Sequence, residues 1–75
     1  MESELENKRI ERLISQFLWK QNEEKRGIFI RRYWYFESIQ EISKSTGFSE
    51  SKIKSILFHL RKRLRMYLEQ EGIEV

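Results

Sequence analysis

The sequence predicts an all-α domain of four helices. Three observations point there. The chain has no proline, and only Gly27, Gly47 and Gly72 interrupt helical backbone. Apolar residues recur at three- and four-residue spacings, with few of the alternating runs that mark strands. Charged residues make up 36% of the chain, as suits amphipathic helices with solvated outer faces.

The first helix is expected over about 3–19. Ile10, Leu13, Ile14, Phe17 and Leu18 follow a 3.6-residue period, and Ser3 followed by Glu6 suits a capping box. This is a support helix, with Trp19 expected to cover the edge of the core. Lys20–Asn22 is a short connection. Asn22 can cap a second helix over about 23–36, with Glu23 and Glu24 in the turn that the helix dipole favours for acids. Ile28, Phe29, Tyr33 and Phe36 fall near one face. Gly27 inside this helix costs about 1 kcal/mol relative to alanine, which suggests close packing there. The run Arg31-Arg32-Tyr33-Trp34-Tyr35-Phe36 mixes base with aromatic and can stack on nucleic acid. The favoured expectation is structural, with rings toward the core and a solvated basic edge.

Ser38-Ile39-Gln40-Glu41 has the form of a capping box. It opens a short third helix, about 39–45, with Ile39 and Ile42 inward and Ser43 small. Gly47 follows, suited to the left-handed conformation at a helix end. Ser49 caps a fourth helix over about 50–70, Gly72 can end it, and residues 73–75 are expected to fray.

Size and composition narrow the function. Seventy-five residues make one domain at most, burying roughly 60% of its unfolded surface. A margin of about 3–5 kcal/mol leaves no room for a deep catalytic cleft. Without cysteine there are no disulfides and no thiolate zinc sites. His59 is the only histidine and has no second ligand or base at a useful spacing, so no catalytic, cofactor or metal site is expected. No apolar run approaches the roughly 20 residues of a membrane span. The acidic start, MESELENK, lacks a hydrophobic signal segment. A cytoplasmic, non-membrane protein is the expectation.

Charge is unevenly placed. Residues 1–24 hold four basic and six acidic side chains, whereas residues 25–75 hold eleven basic and six acidic. Within 50–65, Lys52, Lys54, Arg61, Lys62, Arg63 and Arg65 face Glu50 alone. One concentrated basic helix suggests a polyanion met on one face, though Lys and Arg also solubilise ordinary helices.

The stretch Ser38–Leu64 then meets the demands of a helix-turn-helix. Counting from Ile39, the fourth, tenth, fifteenth and eighteenth positions must be apolar for two helices to pack across a turn. They are Ile42, Phe48, Ile53 and Ile56. The fifth must be small, and is Ser43, a weaker match than alanine. The ninth must form a turn, and is Gly47. The fold expected is therefore a compact four-helix domain with a C-terminal helix-turn-helix, winged-helix-like but lacking strands. On the fourth helix, Ile53, Ile56, Leu57, Leu60, Leu64, Tyr67 and Leu68 occupy an arc of about 120°. The opposite side carries Ser51, Lys54, Ser55, His59, Lys62 and Arg65, with Phe58 and Met66 as apolar exceptions. Lys52 and Arg63 flank it on one edge and Arg61 on the other. In this motif the start of the second helix enters the major groove. Glu50, Ser51, Lys54 and Ser55 are the candidates for base edges. Lys52, Arg61, Lys62 and Arg65 are the candidates for phosphates.

At these residues the chain resembles region 4 of bacterial RNA polymerase sigma factors, most like the extracytoplasmic-function group. The resemblance is densest over Phe29–Leu68. It lies in Arg32-Tyr33, Glu41-Ile42-Ser43, Gly47-Phe48-Ser49, Ile53-Lys54-Ser55 and the leucine-spaced basic run from Arg61 to Leu68. It extends to Phe17-Leu18 in the first helix. It implies recognition of a promoter −35 element by Glu50, Ser51, Lys52, Lys54 and Ser55, with Arg32 touching DNA backbone or bracing the motif. It also implies an apolar surface for the flap-tip helix of the polymerase β subunit, which anti-sigma factors often occlude. Two departures stand out. Lys20-Gln21-Asn22 replaces a common Leu-Pro pair, and Phe58 stands where a small or basic residue is usual, marking with Trp34 a protein contact. Region 2 has no counterpart, so the resemblance implies an excised domain or a stand-alone regulator that does not initiate transcription alone.

Two rivals remain open. One is the output domain of a response-regulator or quorum-sensing transcription factor, which dimerises on paired half-sites; a monomer on one asymmetric site is the expectation here. The other is a protein-interaction module that binds polymerase or an anti-sigma factor through Trp19, Trp34, Phe58 and Met66 without reading DNA.

Overall fold

The computed structural model describes residues 2–74, with side chains from residue 7 onward. Four helices follow one another: α1 (Glu2–Trp19), α2 (Glu23–Tyr33), α3 (Ile39–Thr46) and α4 (Glu50–Gln70). There is no strand among the described residues, and the fold is an all-α four-helix domain. The Ser3–Glu6 capping box lies outside the described side chains.

The spine of the domain is α4. At 1.5 Å per residue its 21 residues span about 31 Å, most of the 41 Å length of the molecule. Its apolar stripe feeds three clusters in turn. Ile53 and Leu57 pack with Ile28 and Ile42, joining α2 and α3 to the start of α4. Leu60 packs with Phe17, Leu18 and Phe29, bringing in α1. Leu68 packs with Leu13 and Ile73 at the far end. Leu13 thus meets Leu68 while Phe17 meets Leu60, so α1 runs antiparallel to α4. Ile42 and Ile53 are completely sealed from solvent. Burying a side chain of that size contributes about 1.5–3 kcal/mol, so this first cluster is what fixes α3 and α4 on α2.

The caps form as the sequence suggests. The Asn22 side chain accepts from the Lys25 amide at 2.8 Å. The Ser38–Glu41 box closes both ways: Glu41 N–H donates to Ser38 Oγ, and Ser38 N–H to Glu41 Oε1, each at 3.0 Å. The Ser38 backbone amide, and after it the Ser38 side chain, hold the Glu41 carboxyl below its ordinary value of 4.5.

Several expectations need correction. The second helix stops at Tyr33, not Phe36. Phe36 takes a left-handed φ of 55°. Amides beyond the helix reach back to its last carbonyls: Trp34 and Tyr35 to Ile30, and Glu37 to Arg31. The rings and the bases also exchange roles. Tyr33, Trp34, Tyr35 and Phe36 are exposed, Phe36 by 84%. Arg31 and Arg32 are half-buried and clamp Glu37, Arg31 at its carboxylate (3.5 Å) and Arg32 at its carbonyl (3.0 Å). That double clamp fixes the left-handed turn that exposes the rings. Gly27 is not a point of close packing, since a Cβ there would meet nothing within 4 Å. Trp19 does not cover the core edge. It is exposed, with the Arg26 guanidinium 4.5 Å from its ring centre.

Nor does Ile73 fray. Gly72, at φ 86°, closes α4 in a Schellman arrangement. The Ile73 amide donates to Leu68 O at 2.9 Å and the Gly72 amide to Glu69 O at 3.0 Å. The Ile73 side chain folds back onto Leu13 and Leu68.

Candidate nucleic-acid interface

The turn between α3 and α4 is three residues long, Gly47–Ser49, and pinned from within. Gly47 closes α3 at φ 82°, its amide donating to Ser43 O. Ser43 Oγ donates to the Phe48 carbonyl at 2.6 Å. The position that favours a small residue therefore also uses its hydroxyl, and serine fits better than its size alone suggests. Thr46 Oγ1 donates to Ile42 O at 2.8 Å and receives the Phe48 amide at 3.3 Å. Phe48 tucks against the Ile28–Ile42–Ile53 cluster. Ser49 then caps α4, accepting from the Lys52 amide at 3.1 Å. With side chains from Ser43, Thr46 and Ser49 bonded into so short a turn, the start of α4 is set rigidly.

From that start project Glu50, Ser51, Lys54 and Ser55, all exposed. They are the four candidates for base edges, and the structure brings them together on the first two turns of α4. No described carboxylate pairs with Lys54.

The candidates for phosphate contact divide. Lys62 is exposed and makes no ion pair with a described carboxylate. Lys52 lies 3.9 Å from Glu24 and over the Phe48 ring, 4.0 Å from its centre. Arg65 pairs with Glu69 at 3.2 Å. Arg61 donates to the Tyr33 hydroxyl. Arg32 is turned to the Glu37 carbonyl, bracing the approach to α3. Arg61 and Arg65 also rim an apolar hollow with Phe29, Tyr33, Leu64 and Leu68.

Around α4 the exposed residues form a crest with two flanks. At 100° per residue, Ser51, Ser55, Phe58, Lys62 and Met66 stand on the crest, opposite the core. Lys54, Arg61 and Arg65 lie on one flank. Lys52, His59 and Arg63 lie on the other, where Lys25 of α2 joins Ser55, His59 and Arg63 around a small hollow. The periodicity of α4 alone gave no sign of Lys25, because it reaches this flank through tertiary packing.

The aromatic residues separate into two surfaces. Trp19, Trp34 and Tyr35 line a groove of about 440 Å³ between α1 and α2, floored by Ile14, Leu18 and Ile30. Phe58 and Met66 take no part in it; they stand exposed on α4, Phe58 by 57%. Trp34 and Phe58 are thus both exposed, on different faces.

Fold and surface together define the class: a four-helix domain whose α3 and α4 make a helix-turn-helix with a basic second helix. Comparison of the chain with protein-family models, curated proteins and solved structures finds no match. Among the described residues, no helix is long and apolar enough to cross a membrane.

Proposed function

We propose that the chain is a DNA-binding domain of the sigma region 4 kind. In this reading it recognises a promoter −35 element in the cytoplasm, as a monomer, and helps recruit RNA polymerase. The observation that carries the reading is the rigid turn that presents Glu50, Ser51, Lys54 and Ser55 on the first two turns of a helix with basic residues along both flanks. A helix about 10–12 Å across fits a major groove about 12 Å wide. The first two turns of the helix then meet base edges while basic residues further along its flanks meet the two phosphate strands. Lys54 donates to guanine acceptors, Glu50 accepts from a cytosine amino group, and the serines serve either.

The test is a titration against a duplex carrying a −35 element selected from a random pool, and against its scrambled counterpart. Both are run at about 0.1 M and about 0.3 M salt, because the phosphate contribution weakens with salt while base discrimination persists. Tighter binding to the selected duplex, reduced by Lys54→Ala, supports the reading. Equal affinity for both duplexes, alone and with core polymerase added, refutes sequence recognition. A dimer on paired half-sites would favour the response-regulator or quorum-sensing type instead.

The α1–α2 groove favours a second role beside the first. Its exposed tryptophans and apolar floor suit an amphipathic helix such as the β flap tip, or an anti-sigma segment competing with it. Trp34→Ala would then weaken polymerase binding without changing affinity for DNA. If that variant and Phe58→Ala abolish polymerase or anti-sigma binding while Lys54→Ala and Lys52→Ala leave promoter affinity unchanged, the domain is an interaction module and not a reader.

A further inference from the structure

We propose that the hollow between α2 and α4 is a seat for one backbone phosphate of the bound duplex, held by Lys25 and Arg63 with Ser55 and His59 beside them. The inference rests on the DNA-binding reading above and adds a contact from outside the helix-turn-helix. Lys25, Ser55, His59 and Arg63 line the hollow with Ile56 and Leu60 at its base, and no carboxylate lines it. Its volume is about 130 Å³, room enough for a phosphate group.

The half-burial of an unpaired Lys25 sets this place apart. Arg9, Arg26, Arg31, Arg32, Arg61 and Arg65 each donate to an acceptor within the domain. Lys52 pairs with Glu24, and Lys20 lies over the Tyr67 ring. Lys25 and Arg63 pair with no described carboxylate, as Lys8, Arg12, Lys44, Lys54 and Lys62 also do not, and of these seven Lys25 alone is half-buried. Two basic residues from different helices thus line one depression. An anion seated there would draw charge-assisted hydrogen bonds from both.

The position suits a phosphate of the strand beside the groove. Ser55 belongs to the crest as well as to the hollow, so the hollow opens toward the face that carries the candidate base contacts. A strand running along that flank meets α4 and the first turn of α2 together. The contact fixes the roll of α4 in the groove and carries no sequence information.

Two measurements test it. In the first, binding to a random-sequence duplex of about 20 base pairs is followed against salt for wild type, Lys25→Gln/Arg63→Gln and Lys54→Gln/Lys62→Gln. The hollow variant is expected to bind more weakly, with a salt slope shallower by about 0.9, the amount for one phosphate. If only the Lys54→Gln/Lys62→Gln variant weakens, the hollow is no phosphate seat, while the DNA reading stands. If wild type does not bind duplex at all, the DNA reading fails and this inference with it. The second measurement needs no variant. Amide shifts are followed as inorganic phosphate is added to the wild-type chain. Saturable shifts at Lys25, Ser55, His59 and Arg63 support the seat, and shifts spread evenly over all exposed lysines overturn it.

Discussion

Gly47 is where a single methyl group should reveal how the motif is built. It closes α3 at φ 82°, and a Cβ placed there would have no neighbour within 4 Å. Sterics with the rest of the domain are therefore absent, and the cost of Gly47→Ala is that of holding an L-residue in the left-handed region. That cost is about 1–2 kcal/mol. For a domain with a margin of about 3–5 kcal/mol the loss is large. At about 4–8 °C per kcal/mol in a chain of this size, the thermal midpoint should fall by about 4–16 °C. Circular dichroism melts measure it. Asparagine, which tolerates the left-handed region, should fall between glycine and alanine. D-Alanine, introduced by chemical synthesis, prefers positive φ and should match or exceed wild type. The folded fraction of each variant should keep its affinity for duplex, because the bonds from Ser43, Thr46 and Ser49 still set the turn. If D-alanine destabilises as much as L-alanine, backbone conformation is not what Gly47 supplies.

Three further outcomes follow from the packing. Gly27→Ala should stabilise the domain by about 0.5–1 kcal/mol, since alanine favours the helix and finds open space; a lower urea midpoint would contradict this. Ile73→Ala should cost about 2–4 kcal/mol, within the range for emptying a buried site. Rapid exchange of the Ile73 amide, bonded to Leu68 O, would show that this end is open after all. Glu41 gives a pH effect. Its pKa is lowered in the folded chain, so its contribution is present above the unfolded value and is lost as pH falls through the lowered one. Glu41→Gln keeps an acceptor for the Ser38 amide but removes the charge. The midpoint should then drop less between about pH 7 and about pH 3 than in wild type, and an identical drop would rule the charge out.

What the sequence made legible was local. Caps, glycine turns and the 3.6-residue stripe depend on neighbours three to seven positions away, and they placed all four helices and the core of the helix-turn-helix. The misreadings lie where a distant or unusual partner decided the outcome. Periodicity carried the second helix to Phe36 because nothing in Tyr-Trp-Tyr-Phe forbids it; the left-handed turn there is held by Arg31 and Arg32 on Glu37. Ile73 reads as a fraying chain end in the sequence because its partners, Leu13 and Leu68, lie on two different helices. The same limit governs the candidate site. In the sequence Arg31, Arg32, Arg61 and Arg63 are equivalent charges, and a count of them describes a basic protein. In the fold, Arg31 and Arg32 are spent on Glu37 and Arg61 on Tyr33, whereas Arg63 shares its hollow with Lys25. The charge free to meet a phosphate is therefore smaller than the composition suggests and more sharply placed, on the crest and flanks of α4.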